Sequence, residues 1–137
     1  MTELQTNLIR KTWATFQKID PVLVGGVFYE KLFSDHPSYK RMFSKTNEIQ
    51  SEKIVAMLNF IVSHIDTIEE LSESLRNLAV RHLQYGVKPE YYGPVGVALL
   101  WMLQQGLGSD WNREVMEAWN ACYSTVSGIM IEAGKEK

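Results

Sequence analysis

Of the three histidines in this chain, His82 falls on an apolar face near a helix end, and His64 falls on the side of its helix that carries Gln50. Leu71, Leu75, Leu78, Ala79 and His82 recur at three- and four-residue steps, and Gly86 after Tyr85 has the form of a helix C-terminal stop. His82 is therefore expected to point inward near a helix end. A buried polar group without a partner costs about 1–3 kcal/mol, so the imidazole is either a core side chain with satisfied ring nitrogens or a ligand to a metal or cofactor. Taken alone, the residue leaves both readings open. His36 precedes Pro37 in a turn, where exposure is expected, and His64 lies about 21 Å along its helix from Gln50. The single Cys122 cannot form an internal disulfide and sits among Trp119, Tyr123 and Val126, where a packed core thiol is the leading expectation and a redox role the alternative. The Gly106-Leu107-Gly108 string lacks the strand and third glycine of a dinucleotide fold.

The elements that must position these groups all read as helices. Thr2 and Gln5 form a capping box ahead of Leu4, Leu8, Ile9, Trp13 and Phe16. Asp20-Pro21 caps a second helix bearing Val24, Val27, Phe28, Leu32 and Phe33, which Gly25 and Gly26 interrupt. Glycine costs about 1 kcal/mol relative to alanine in a helix, so this pair is expected to let another helix backbone approach closely. His36-Pro37 ends the helix, a short helical turn runs through Met42, and Phe43 sits at a corner. From Asn47, the residues Gln50, Ile54, Met57, Leu58, Ile61 and Ile65 share one side of a third helix. The helix carrying His82 follows. A fifth is expected from about Pro89 to Gln105, and a sixth from near Asn112 with Val115, Met116, Trp119, Tyr123, Val126 and Met130 inward.

Composition narrows the function classes. The chain has 137 residues, 45% of them hydrophobic, the size of one domain with one core, expected to span residues 1–137. The formal net charge of −2 favours neither nucleic acid nor anionic lipid. No secretion signal is read at the N-terminus, and the apolar run from Val95 to Leu103 is far below the roughly 20 residues that cross a bilayer. No membrane association and a cytoplasmic location are the expectations.

Phe28-Tyr29-Glu30-Lys31-Leu32-Phe33, then Pro37 and Phe43 at the corner, Gln50 opening a helix, Arg81-His82-Leu83-Gln84-Tyr85-Gly86-Val87, and Tyr92-Gly93-Pro94-Val95-Gly96 occur in that order. The series resembles the globin family over nearly the whole chain. It is most similar to bacterial single-domain haemoglobins and the globin portion of flavohaemoglobins, and more distantly to neuroglobins. The resemblance implies an all-α globin fold, about six long helices plus short connecting helices packed around haem b (iron protoporphyrin IX).

By this resemblance His82 is the proximal iron ligand, its second ring nitrogen donating to a nearby acceptor. Phe43 matches the aromatic that packs on the haem face, and Tyr29 and Gln50 match the polar residues on the side where the ligand binds. A phenol O–H and an amide N–H are both competent donors to a ligand oxygen that gains negative charge. At about 0.5–1.5 kcal/mol each, the two bonds would together slow oxygen release by roughly one to two orders of magnitude. Ile54, a turn beyond Gln50, is expected to limit ligand size; Lys53 matches a position that pairs with a haem propionate; Leu78, Val87 and Val95 are expected apolar walls.

Tyr92 occupies the family's tyrosine position beside the proximal histidine, but its glutamate partner aligns with Gly134, and Glu132 lies two residues away on another face. Peroxidase-like O–O activation loses its support there. The leading expectation is reversible, high-affinity binding of O2, and of CO or NO, for storage, scavenging or sensing. The alternative is a nitric oxide dioxygenase served by a separate reductase, because no reductase domain is read in the chain. A haem-free helical interaction module is the third reading.

Overall fold

In the computed structural model, residues 1–43, 46–84 and 88–135 are described, with the backbone alone at residues 47, 69, 70 and 82–84. Six α-helices and no strand occur among the described residues: α1 (Glu3–Phe16), α2 (Pro21–Asp35), α3 (Asn47–Ser63), α4 (Ser72–Gln84), α5 (Tyr92–Leu107) and α6 (Arg113–Lys135). Short 3-10 helices join several of them, at Pro37–Met42, Ile65–Leu71, Pro89–Tyr91 and Gly108–Asp110.

The helix starts follow from their caps. Thr2 Oγ1 accepts from Gln5 N at 3.1 Å while Gln5 Oε1 accepts from Thr2 N at 2.9 Å. Asp20 accepts from Val22 N ahead of Pro21, Thr46 from Ile49 N, and Asn112 from Val115 N. Three boundaries differ from the periodicity reading. α3 stops at Ser63, because the Ser63 hydroxyl and the His64 ring both take the Phe60 carbonyl and the His64 N–H turns back to Ile61 and Val62; Ile65 therefore begins a 3-10 helix. α5 starts at Tyr92 after a separate 3-10 turn and runs through Gly106 to Leu107, its stop being Gly108 at φ 54°. Met116 is 40% exposed and not inward, since the buried stripe of α6 runs through Val115, Trp119, Cys122, Val126, Met130 and Ala133.

α2 packs against both α3 and α5, while α1 and α4 lie on α6. Trp13 and Trp119 tie the layers together, each with 1% exposure and ring centroids 5.9 Å apart. Both indole donors are satisfied: Trp13 Nε1 donates to Asn59 Oδ1 at 2.6 Å, and Trp119 Nε1 to Thr12 Oγ1 at 3.0 Å. These bonds link α1 to α3 and to α6, removing the desolvation cost of two buried N–H groups. Cys122 is buried, as its neighbours imply. No helix among the described residues is long and apolar enough to cross a membrane.

Candidate functional site

The site begins at the crossing of α2 and α3. A Cβ placed on Gly25 would lie 2.5 Å from Ser51 Cα and 2.7 Å from Ser51 O, so the missing side chain lets the two backbones touch. Gly26, by contrast, has nothing within 4 Å of such a Cβ, and only one of the two glycines serves close approach. With Ser51 (1% exposed) pressed onto Gly25, the register of α3 is fixed. Gln50 then stands in its first turn, half-buried, with Ile54 one turn further on the same face and packed against the core.

α2 contributes Tyr29, one turn along from Gly25. Its ring is 7% exposed and enclosed by aromatics: edge-on to Phe28 at 4.8 Å, stacked with Phe33 at 5.6 Å, and edge-on to Phe43 at 5.3 Å. Phe43 caps the 3-10 helix Pro37–Met42 with φ −119° and ψ 96°, its N–H donating to Lys40 O, and also meets Phe33 edge-on at 5.4 Å. The corner geometry thus turns the Phe43 ring back onto α2. Within this cage the Tyr29 hydroxyl makes no hydrogen bond among the described residues. Burial pushes the phenol up to about 12, so it keeps its proton, and its donor capacity, at neutral pH.

Leu78, Tyr92 and Val95 are partly buried side chains packed against the core from α4 and the first turns of α5. Burial also raises the Tyr92 phenol. Its backbone is held from α6: the Tyr123 hydroxyl donates to the Tyr92 carbonyl at 2.5 Å, and the Tyr123 ring lies where a Gly96 side chain would be, 2.7 Å from a built Cβ. Lys53 is exposed and on the protein surface. The backbone of His82 lies in the last turn of α4; its side chain, and Val87 entirely, lie outside the described residues. His36 is half-buried and stacks on Tyr39 at 4.7 Å, in place of the full exposure expected of it. His64 caps α3, exposed.

The motif reading gives two contributors no site role, although Phe33 lies within one of its strings. Phe33 completes the cage around Tyr29, and its position four residues beyond Tyr29 on a helix is a signal that could have placed it. Tyr123 anchors Tyr92 across 31 residues, and no local pattern reports such a contact.

Residues 26–130 match the family described as Globin. The chain is a globin. A flavohemoprotein from Vibrio cholerae is 28% identical over 135 residues, covering 96% of this chain and 34% of that protein. A neuroglobin from Tetraodon nigroviridis is 31% identical over 137 residues, covering 90% of this chain and 86% of its own length. The globin spans about a third of the length of the flavohemoproteins it matches. Among solved structures, a bacterial globin from Campylobacter jejuni superposes with a TM-score of 0.83 at 24% identity, covering 98% of this chain and 97% of the other. A hexacoordinated heme protein from an anhydrobiotic tardigrade gives 0.86 at 19%, covering 98% and 96%. The fold is thus that of haem proteins that bind diatomic ligands, and membership of the family implies haem b.

The residues present fit that group. A flat macrocycle needs apolar side chains from several helices, and Phe43, Ile54, Leu78, Tyr92 and Val95 all pack against the core while keeping part of their surface uncovered. The Tyr29 phenol, set within the aromatic cage and with no hydrogen bond among the described residues, supplies a polar contact.

Proposed function

We propose that residues 1–137 form one globin domain that holds haem b through His82 and binds O2 reversibly and tightly, with CO and NO as further ligands. Bound haem supplies a ferrous iron with one coordination position open to a diatomic molecule. The chain's own residues do the rest. His82 holds the iron from α4; Phe43 packs against the ring face; Leu78, Val87, Tyr92 and Val95 wall the cavity; Ile54 restricts its depth; Lys53 reaches a propionate at the edge. Tyr29 would donate an O–H hydrogen bond to the ligand while keeping its proton, and Gln50 would add an amide N–H from the first turn of α3.

The observation that carries this reading is Tyr29, a residue 7% exposed and ringed by Phe28, Phe33 and Phe43, whose hydroxyl keeps its proton and makes no hydrogen bond among the described residues. An acceptor that arrives there gains a hydrogen bond worth about 0.5–1.5 kcal/mol net. The cage fixes the ring in advance, so little further ordering is lost on binding.

The test is the absorption spectrum of the reduced protein before and after CO, followed by stopped-flow release of O2. The reading expects a haem spectrum that shifts with CO and slow O2 release. A preparation that takes up no haem, or releases O2 no more slowly than its Tyr29→Phe variant, refutes it. Mixing the oxygenated protein with nitric oxide and a general reductase separates the two uses of the pocket. Stoichiometric oxidation is expected of an oxygen-binding protein, whereas sustained turnover would reassign it as a nitric oxide dioxygenase with a separate reductase.

A further inference from the structure

A cavity of about 430 Å³ lies along one edge of α2, lined by Gly26, Tyr29, Glu30, Phe33, Ser34 and Lys40. One water occupies roughly 30 Å³ in the liquid, so the space holds a small molecule with ample room. Its helical lining residues are spaced three and four apart, a face of α2 that borders the Gly25 contact with α3 at Tyr29 and extends round the helix from it. The cavity shares Tyr29 alone with the residues assigned above to haem and ligand. It therefore borders the residues assigned to the ligand only at Tyr29.

Its two ends differ in chemistry. Tyr29 and Phe33 form an inner aromatic wall, whereas Glu30, Ser34 and Lys40 are exposed and form a rim in solvent. Gly26 lies between them, and open space surrounds the place where its side chain would be. We infer that this cavity is a route by which neutral diatomic molecules pass from solvent to the ligand side, entering beside α2 and reaching Tyr29 without crossing Gln50 or Ile54 on α3. The inference rests on the reading that Tyr29 faces the bound ligand. Charges on the rim do not hold a neutral diatomic, the aromatic wall gives it an apolar surface, and the glycine leaves the passage clear. Passage ends at Tyr29, one of the two groups assigned to donate a hydrogen bond to the ligand, so a residue that retains the ligand also stands at the inner door.

The test is CO recombination after flash photolysis in the haem-loaded ferrous protein, comparing wild type with Gly26→Leu and Ser34→Trp. The first fills the passage and the second covers its mouth from an exposed position, so the second remains informative should the first fail to fold. Both are expected to slow bimolecular association by about three- to tenfold, with an unchanged equilibrium CO spectrum and a larger fraction of CO rebinding before escape. Haem-loaded variants with wild-type association rates overturn the route alone. A wild-type chain that binds no haem or CO overturns the functional reading, and the route with it.

Discussion

Alanine at Gly25 and alanine at Gly26 should change stability in opposite directions, although the residues are adjacent in one helix. At Gly25 the new methyl would sit 2.5 Å from both Cα and Cβ of Ser51 and 2.7 Å from its carbonyl oxygen. Carbon atoms in contact settle at about 3.5–4.0 Å, so α2 and α3 must separate by roughly 1 Å. These neighbours are backbone or backbone-anchored, so no side-chain rotation relieves the clash. Overpacking of this kind costs about 1–3 kcal/mol, and the rigid partner places Gly25→Ala near the upper end. The helix-propensity gain of about 1 kcal/mol offsets part of it, leaving a net loss of about 2 kcal/mol. Gly26→Ala meets nothing within 4 Å and keeps the whole gain, up to about 1 kcal/mol. For 137 residues, at about 2.1 cal/mol/K of unfolding entropy per residue, 1 kcal/mol corresponds to about 3.5 °C in Tm. Thermal unfolding followed by circular dichroism on matched haem-loaded samples should place Gly25→Ala about 7 °C below wild type and Gly26→Ala about 3 °C above it. A Gly25→Ala protein that melts at or above wild type would refute the close crossing, and with it the register that sets Gln50 and Ile54.

Tyr29→Phe should raise the O2 dissociation rate by about tenfold, the equivalent of one hydrogen bond of about 1.4 kcal/mol, with haem content unchanged in stopped-flow samples. Ser51→Ala should stabilise the fold by about 1 kcal/mol in urea titration, since the Ser51 hydroxyl is buried without a partner among the described residues and alanine is the better helix former; a loss of more than this amount would show a hidden partner. Alkaline titration should show stability falling from about pH 9 to pH 12. Burial raises Cys122 from 9.0 to about 12 and Tyr29 from 10.0 to about 12, and Tyr123 is raised as well, by burial and then by Tyr92. The unfolded chain thus loses these protons first, and stability present below the unfolded values is lost as pH rises through the folded ones. Cys122→Ala should flatten the early part of that decline, and an unchanged slope would contradict the assignment.

The helices and their caps were legible because both are local. The capping box at Thr2, the Asp20-Pro21 start and the Asn112 cap each lie within three residues of what they stabilise. The contact made by Gly25 was legible in kind, since a helix interior tolerates such a residue at a cost, but its equivalence with Gly26 was not borne out: a 100° turn separates a crossing point from the lining of a cavity. Tyr29 and Phe43 stand out by motif, yet their mutual packing depends on how the chain turns at Phe43. The tilted ring contact of Tyr39 with Tyr91, with centroids 4.6 Å apart, and the Tyr123 bond to Tyr92 join distant segments and leave no periodic trace. The same holds for the cavity beside α2, where Lys40 from the 3-10 helix joins five residues of α2 in the lining.

The central claim is that the imidazole of residue 82 holds the haem iron. Haem content per chain and the ferrous absorption spectrum of His82→Ala, compared with wild type and then titrated with free imidazole, measure it directly. The account predicts a large loss of haem or an altered ferrous spectrum that added imidazole restores. Equal haem content with an identical ferrous spectrum in the untreated variant would contradict it.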